Sequence, residues 1–158
     1  MDPILSQSLG IAGAVVALAL SAIGSALGCG TAGCSAIGAW KRNYVQGKPA
    51  SMQLVSFAGA PLSQTIYGMI LMYSMKSCAE KGAPGLALLV VGIAAGLAIG
   101  WSAWYQGRAA AAAADSFGET SKGFTNDFGV LGVVETVAIF VMVFTMLVIG
   151  SMVPAAAA

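Results

Sequence analysis

The stretch Gly129 to Ile149, GVLGVVETVAIFVMVFTMLVI, decides how this chain is read. It is an unbroken apolar run with a single carboxylate, Glu135, set inside it. A helix needs about 20 residues to cross the hydrocarbon layer, and this run has that length. An ionised side chain at the centre of such a helix costs about 2.5–3.5 kcal/mol on insertion scales. Glu135 is therefore expected to be neutralised by a proton, a bound cation or a basic partner. The other helices must supply the answer.

Composition points the same way. The 158 residues are 58% hydrophobic and 8% charged, with a mean hydropathy of +0.87. Soluble domains carry about 25% charged residues, so this is an integral membrane protein. A net charge of +1 and the lack of histidine argue against nucleic-acid binding, an imidazole metal site and a His-based triad. Cys29, Cys34 and Cys78 have no CxxC spacing and no histidine to complete a zinc site, and the two in the first apolar segment, Cys29 and Cys34, read as small buried residues. The N-terminal MDPILSQ lacks a positive n-region, so no cleaved signal peptide is expected. The closing run Ala155 to Ala158 carries no functional signal.

Outward from the last span, three more apolar segments give an all-α membrane protein of four transmembrane helices. The first, about 8–39, is uncharged and glycine-rich. Gly24, Gly28, Ala32 and Ala36 form a small-residue row that lets backbones approach closely in lipid. The second, about 52–75, contains FAGAPLSQTIYG, in which Ala60, Ser63, Gln64 and Tyr67 share one helical face. Pro61 has no N–H, so the carbonyl of Phe57 loses its helical partner. That face offers a hydroxyl, an amide oxygen, a phenol and loosened carbonyls. It reads either as polar glue between helices, about 0.6 kcal/mol per hydrogen bond, or as an oxygen-rich site. The third, about 85–116, carries Gly92, Gly96 and Gly100, then Trp101, Trp104, Tyr105, Gln106 and the run Ala109 to Ala114. Trp101 and Trp104 fit an interfacial belt or wedges against a neighbouring helix. The fourth is placed at about 124–153.

The segments pair as two duplicated helical hairpins, 1–81 and 82–158. Gln64-Thr65-Ile66 aligns with Glu135-Thr136-Val137, and Cys29-Gly30 with Gln106-Gly107. Internal symmetry of this kind recurs among membrane transporters. Lys41, Arg42 and Lys48 are assigned to the first loop, and Arg108 and Lys122 to the third, which runs from Asp115 to Asp127. Only Lys76 and Lys81 face the other side. The positive-inside rule then puts the 1–2 and 3–4 loops in the cytoplasm and both termini outside.

Counted from the cytoplasmic ends, Gln64, Gln106 and Glu135 lie at one depth, on the order of 15–18 Å. Three such residues at one level read as one site. The ligands are hard oxygens, suited to a proton or an alkali or alkaline-earth ion. A proton carrier needs only the carboxylate. Ser63, Gln64 and Gln106 are superfluous for H+ and useful for stripping water from Na+, so sodium is the preferred ion and the proton the alternative. No organic cofactor is expected.

Taken together, PLSQTIYG, QGRAAAA and VVETVAIF make the chain resemble the membrane rotor-ring proteolipid (the K or c subunit) of V-type ATPases, specifically the sodium-pumping bacterial kind. The resemblance covers nearly the whole chain. It implies a ring of many copies in a bacterial plasma membrane, surrounded by lipid and turned through a central-stalk subunit by a separate ATP-hydrolysing head. It also implies a stator subunit whose arginine unloads each site. By the same resemblance the ion is ligated by Glu135, Gln64, Gln106, Ser63 and the backbone carbonyl of Ala60, with Tyr67 hydrogen-bonded to the carboxylate. Two features depart from the family pattern: Ser63 stands where threonine is typical, and Trp101 and Trp104 are bulky for this helix. The chain has no GxxxxGK[ST] motif, so ATP is handled elsewhere and the protein is not catalytic alone. The competing readings are a stand-alone four-helix exporter, which needs a roomy aromatic-lined cavity, and a pore-forming oligomer with Glu135 as interhelical glue.

Overall fold

The computed structural model describes residues 2–154; the run Ala155 to Ala158 lies outside them. Five α-helices make four spans: α1 (Pro3–Val45), α2 (Gln53–Gly59) leading through a 3-10 turn (Ala60–Leu62) into α3 (Ser63–Glu80), α4 (Gly85–Thr120) and α5 (Phe124–Ser151). There is no strand among the described residues, and all four spans are long and apolar enough to cross a membrane.

Local chemistry sets the ends. Asp2 caps α1 by accepting the amide N–H of Ile4 at 3.2 Å, and Pro3 fits the first turn, where its missing N–H is not needed. Gly123, at φ +86°, makes the sharp reversal between α4 and α5 that a side chain would strain. In the second span the expected single helix is interrupted at Pro61. With no N–H there, the backbone tightens into one 3-10 turn before α3 resumes.

The helices overrun the spans read from hydropathy. The first reaches 3–45 rather than 8–39, the second 53–80 rather than 52–75, and the third 85–120 rather than 85–116. The fourth ends at Ser151 rather than 153. At about 1.5 Å per residue, α1 is roughly 64 Å long, twice the hydrocarbon thickness. The loop assignments change accordingly. Lys41 and Arg42 belong to α1, Lys76 and Glu80 to α3, and Asp115 to Thr120 to α4, so the third loop shrinks to residues 121–123. The cause is visible in α1 and α4: Arg42 pairs with Asp115 at 2.7 Å and with Glu119 at 3.7 Å, which stabilises charged turns as helix. Arg108 is likewise not in a loop. It sits within α4, twelve positions before its end, on an exposed face with its guanidinium over Tyr105 (5.4 Å) and Trp104 (6.0 Å).

The two hairpins are joined along α1 and α4, which run parallel with their backbones in contact. A Cβ added to Gly24 would fall on the backbone of Gly100, one on Gly107 on that of Gly28, and one on Gly92 on that of Gly13. Only glycine allows this approach, and dispersion between the closely packed backbones replaces the hydrophobic drive that lipid removes. The loops 46–52 and 121–123 therefore share one end of the bundle, and the termini share the other with the 81–84 loop. Burial divides into two apolar clusters. One gathers Leu71, Met75, Leu88 and Ile99 toward the termini. The other packs Phe57 against Phe117, Phe124 and Phe128 toward the loops, with ring centroids 5.2–6.0 Å from Phe57. A polar layer lies between them.

Candidate ion-binding site

That layer is built from three spans. The break at Pro61 sets Ala60 and Ser63 at the junction of two helical segments, so the carbonyl of Ala60 accepts from Ser63 Oγ at 3.1 Å. Ser63 Oγ also donates to Gln64 Oε1 at 3.2 Å. Gln64 Nε2 crosses to α4 and donates to Gln106 Oε1 at 2.7 Å. Gln106 Nε2 then reaches α5, donating to the carbonyl of Leu131 at 3.1 Å and to Glu135 Oε2 at 3.3 Å. Tyr67 Oη donates to Glu135 Oε1 at 2.5 Å and closes the chain.

All six residues singled out from the sequence thus lie in one hydrogen-bonded network. The depth match survives the longer helices because Gln106 touches both Gln64 and Glu135 directly. Gln64 and Gln106 are fully buried, which is tolerable only because each amide finds partners. Glu135 is half-buried on α5, the most apolar span and the least enclosed. Its neighbours Val133, Val137 and Phe140 are exposed. The carboxylate is therefore at the edge of the exposed apolar surface while its partners are inside.

Sequence reasoning missed two contributors. The Leu131 carbonyl, one turn before Glu135, holds the Gln106 nitrogen, and Ser102 Oγ donates to the carbonyl of Val134 at 2.9 Å, pinning α4 to α5 beside the site. Leu131 was findable by its i−4 spacing from Glu135. Ser102 was hidden between two tryptophans. Trp104 and Trp101 meet edge to face at 5.1 Å; Trp101 is 58% exposed, while Trp104 is half-buried over the α1–α4 seam. Cys29, Cys34 and Cys78 are unpaired thiols far apart in burial: half-buried, exposed and buried. Cys34 thus departs from the buried reading.

Among the described residues no ion pair reaches Glu135, and no group of three His, Cys, Asp or Glu side chains could hold a metal ion. Among the described residues, then, no basic side chain neutralises Glu135. One carboxylate, two carboxamides, a hydroxyl and the Ala60 carbonyl make a hard-oxygen set suited to one positive charge. The site thus sets one half-buried carboxylate among neutral oxygen donors on a four-span helical protein.

Comparison with known proteins sharpens the class. Residues 89–148, which take in most of α4 and α5 with both Gln106 and Glu135, match the family model of the ATP synthase C subunit. Over those residues the chain is similar to the proteolipid subunits that form the ion-carrying rotor ring of rotary ATPases. In that family the subunit is not catalytic alone; hydrolysis is on other subunits. The match covers less than half of the chain, and Ser63, Gln64 and Tyr67 lie outside it. No curated protein matches the chain.

Proposed function

We propose that this chain is the rotor-ring subunit of a V-type ATPase, built of two duplicated hairpins, and that it carries Na+ at Glu135. The observation that supports it is the network just described, in which four oxygen-bearing groups besides Tyr67 are gathered beside one carboxylate. The ligands are Glu135, Gln106, Gln64, Ser63 Oγ and the Ala60 carbonyl. A bound cation cancels the carboxylate charge, so a loaded site crosses lipid as the ring turns while an empty one is opposed by several kcal/mol. Unloading needs an external countercharge, which we assign to an arginine of the stator. Arg108 does not serve, since its guanidinium lies over Tyr105 and Trp104 on the exposed face of α4. The groove of about 650 Å³ between α4 and α5, lined by Ala94, Ala98, Trp101, Tyr105 and Val137, is open and apolar, and seats the adjacent copy rather than a transported solute. With the parallel α1–α4 core, we place the two loops that share an end in the cytoplasm.

Carbodiimide labelling of Glu135 in isolated rings, at fixed pH and rising sodium, tests the ion. Sodium is expected to protect the wild type, and Gln106→Leu to need a higher concentration for the same protection. Labelling indifferent to sodium would identify a proton ring instead. Tyr67→Phe tests the latch. Removing the hydroxyl that meets Glu135 at 2.5 Å, while keeping the ring's bulk, is expected to speed release of radioactive sodium on dilution. Equal release rates would assign Tyr67 to packing.

A further inference from the structure

The Gln64 carboxamide is engaged at both ends, its oxygen by Ser63 Oγ at 3.2 Å and its nitrogen by Gln106. Its Nε2 donates to Gln106 Oε1 at 2.7 Å, so a cation that ligates the Gln106 oxygen competes with this bond. Gln106 is already anchored by its nitrogen on Leu131 and Glu135, which leaves its oxygen to point inward once Gln64 lets go. Once the cation displaces that bond, the buried Gln64 amide nitrogen needs another acceptor, because an unpaired buried donor is destabilising.

An acceptor stands across the seam on α1. Ser25 is 2% exposed, and its hydroxyl has no partner among the described residues. Ser8, Ser21 and Thr31 of the same helix return their hydroxyls to the carbonyl four positions back, the ordinary habit of such residues; Ser25 does not. The antiparallel register sets its neighbour. A Cβ on Gly28 would meet Pro61 at 2.8 Å, and one on Gly68 would meet Ser21 at 2.6 Å. Ser25 lies one turn from Gly28 and from Ser21, as Gln64 lies one turn from Pro61 and from Gly68. The two buried side chains are thus opposite one another.

We propose that Ser25 is a positioning residue of the ion site, accepting the Gln64 N–H when that carboxamide turns its oxygen toward the cation. The Ser25 O–H is then free to donate to the carbonyl of Ser21, so each group keeps a partner. Ser25 acts through Gln64 and does not touch the ion. The inference rests on the sodium reading above, and the experiment separates the two. Assembled rings of wild type, Ser25→Ala and Ser25→Cys are labelled at Glu135 with a carbodiimide at fixed pH across a sodium titration. Alanine removes the acceptor, and cysteine keeps the bulk with a weak one. Both variants are expected to need roughly fivefold more sodium for half-protection, the worth of one buried hydrogen bond, with labelling in the absence of sodium unchanged. In a Gln64→Leu background, Ser25→Ala should add nothing further. A wild-type midpoint in both variants, or an additive loss in the Gln64→Leu background, overturns the positioning role and leaves sodium binding intact. Failure of Ser25→Cys rings to assemble assigns Ser25 to packing and overturns it too. Wild-type labelling that ignores sodium overturns both readings.

Discussion

Rings carrying Glu135→Gln are expected to insert and assemble normally and to transport no ion. Glutamine matches the shape of the carboxylic acid and still accepts from Tyr67 through its oxygen, so the contact between α3 and α5 survives. What disappears is the one charge able to offset a cation at the half-buried position on α5. Leaving a buried ion without its partner costs about 3–5 kcal/mol. At about 1.4 kcal/mol per decade, that lowers occupancy by roughly a hundredfold to a few thousandfold. The measurement is ATP-driven sodium uptake into vesicles holding the complete rotary complex, with ring assembly checked by native mass. Uptake above background in the variant would show that the charge at this position does not carry the ion.

The second large effect concerns the scaffold. Gly24→Val is expected to leave no stable particle, and Gly24→Ala to lower the thermal midpoint of the detergent-extracted ring by several degrees. A Cβ at Gly24 lands on backbone atoms of Gly100, which cannot rotate aside as a side chain would. Overpacking of an interior costs about 1–3 kcal/mol even where side chains can give. Here the whole α1–α4 seam must open, which also carries Gln106 away from Gln64. Gly150→Ala is the control, because nothing lies within 4 Å of a Cβ there. Equal midpoints for Gly24→Ala and Gly150→Ala would mean that the seam is looser than its backbone contacts imply.

The two positions differ in how they could be read. Glu135 is conspicuous because lipid tolerates few charges, so a carboxylate in a run of valines is a signal without any structure. Gln64 and Tyr67 stand out for the same reason, and their common face follows from helical periodicity. The closeness of Gly24 to Gly100 is of another kind. Glycine rows announce close packing, but not which glycine meets which.

The longer helices show where hydropathy stops being informative. Beyond the bilayer, Arg42, Asp115 and Glu119 continue α1 and α4 as helix through ion pairs across the seam, a stabilisation that no single segment displays. Arg108 misleads for the opposite reason. A charged residue near the end of an apolar run suggests a loop, yet its charge rests over two aromatic faces inside the helix.

By itself, then, the amino-acid sequence determined the all-α membrane architecture, the four spans, the lone carboxylate and the polar residues gathered at its depth. Each follows from the cost of polar groups in hydrocarbon, which is a property of composition and spacing. Tertiary structure alone decided the register of α1 on α4, the turn at Ala60–Leu62, the orientation of the Gln64 amide and the placing of Ser25 opposite it. A serine in a row of glycines and alanines is small enough to pass as packing. Only the meeting of two helices shows that its hydroxyl is buried and unpaired.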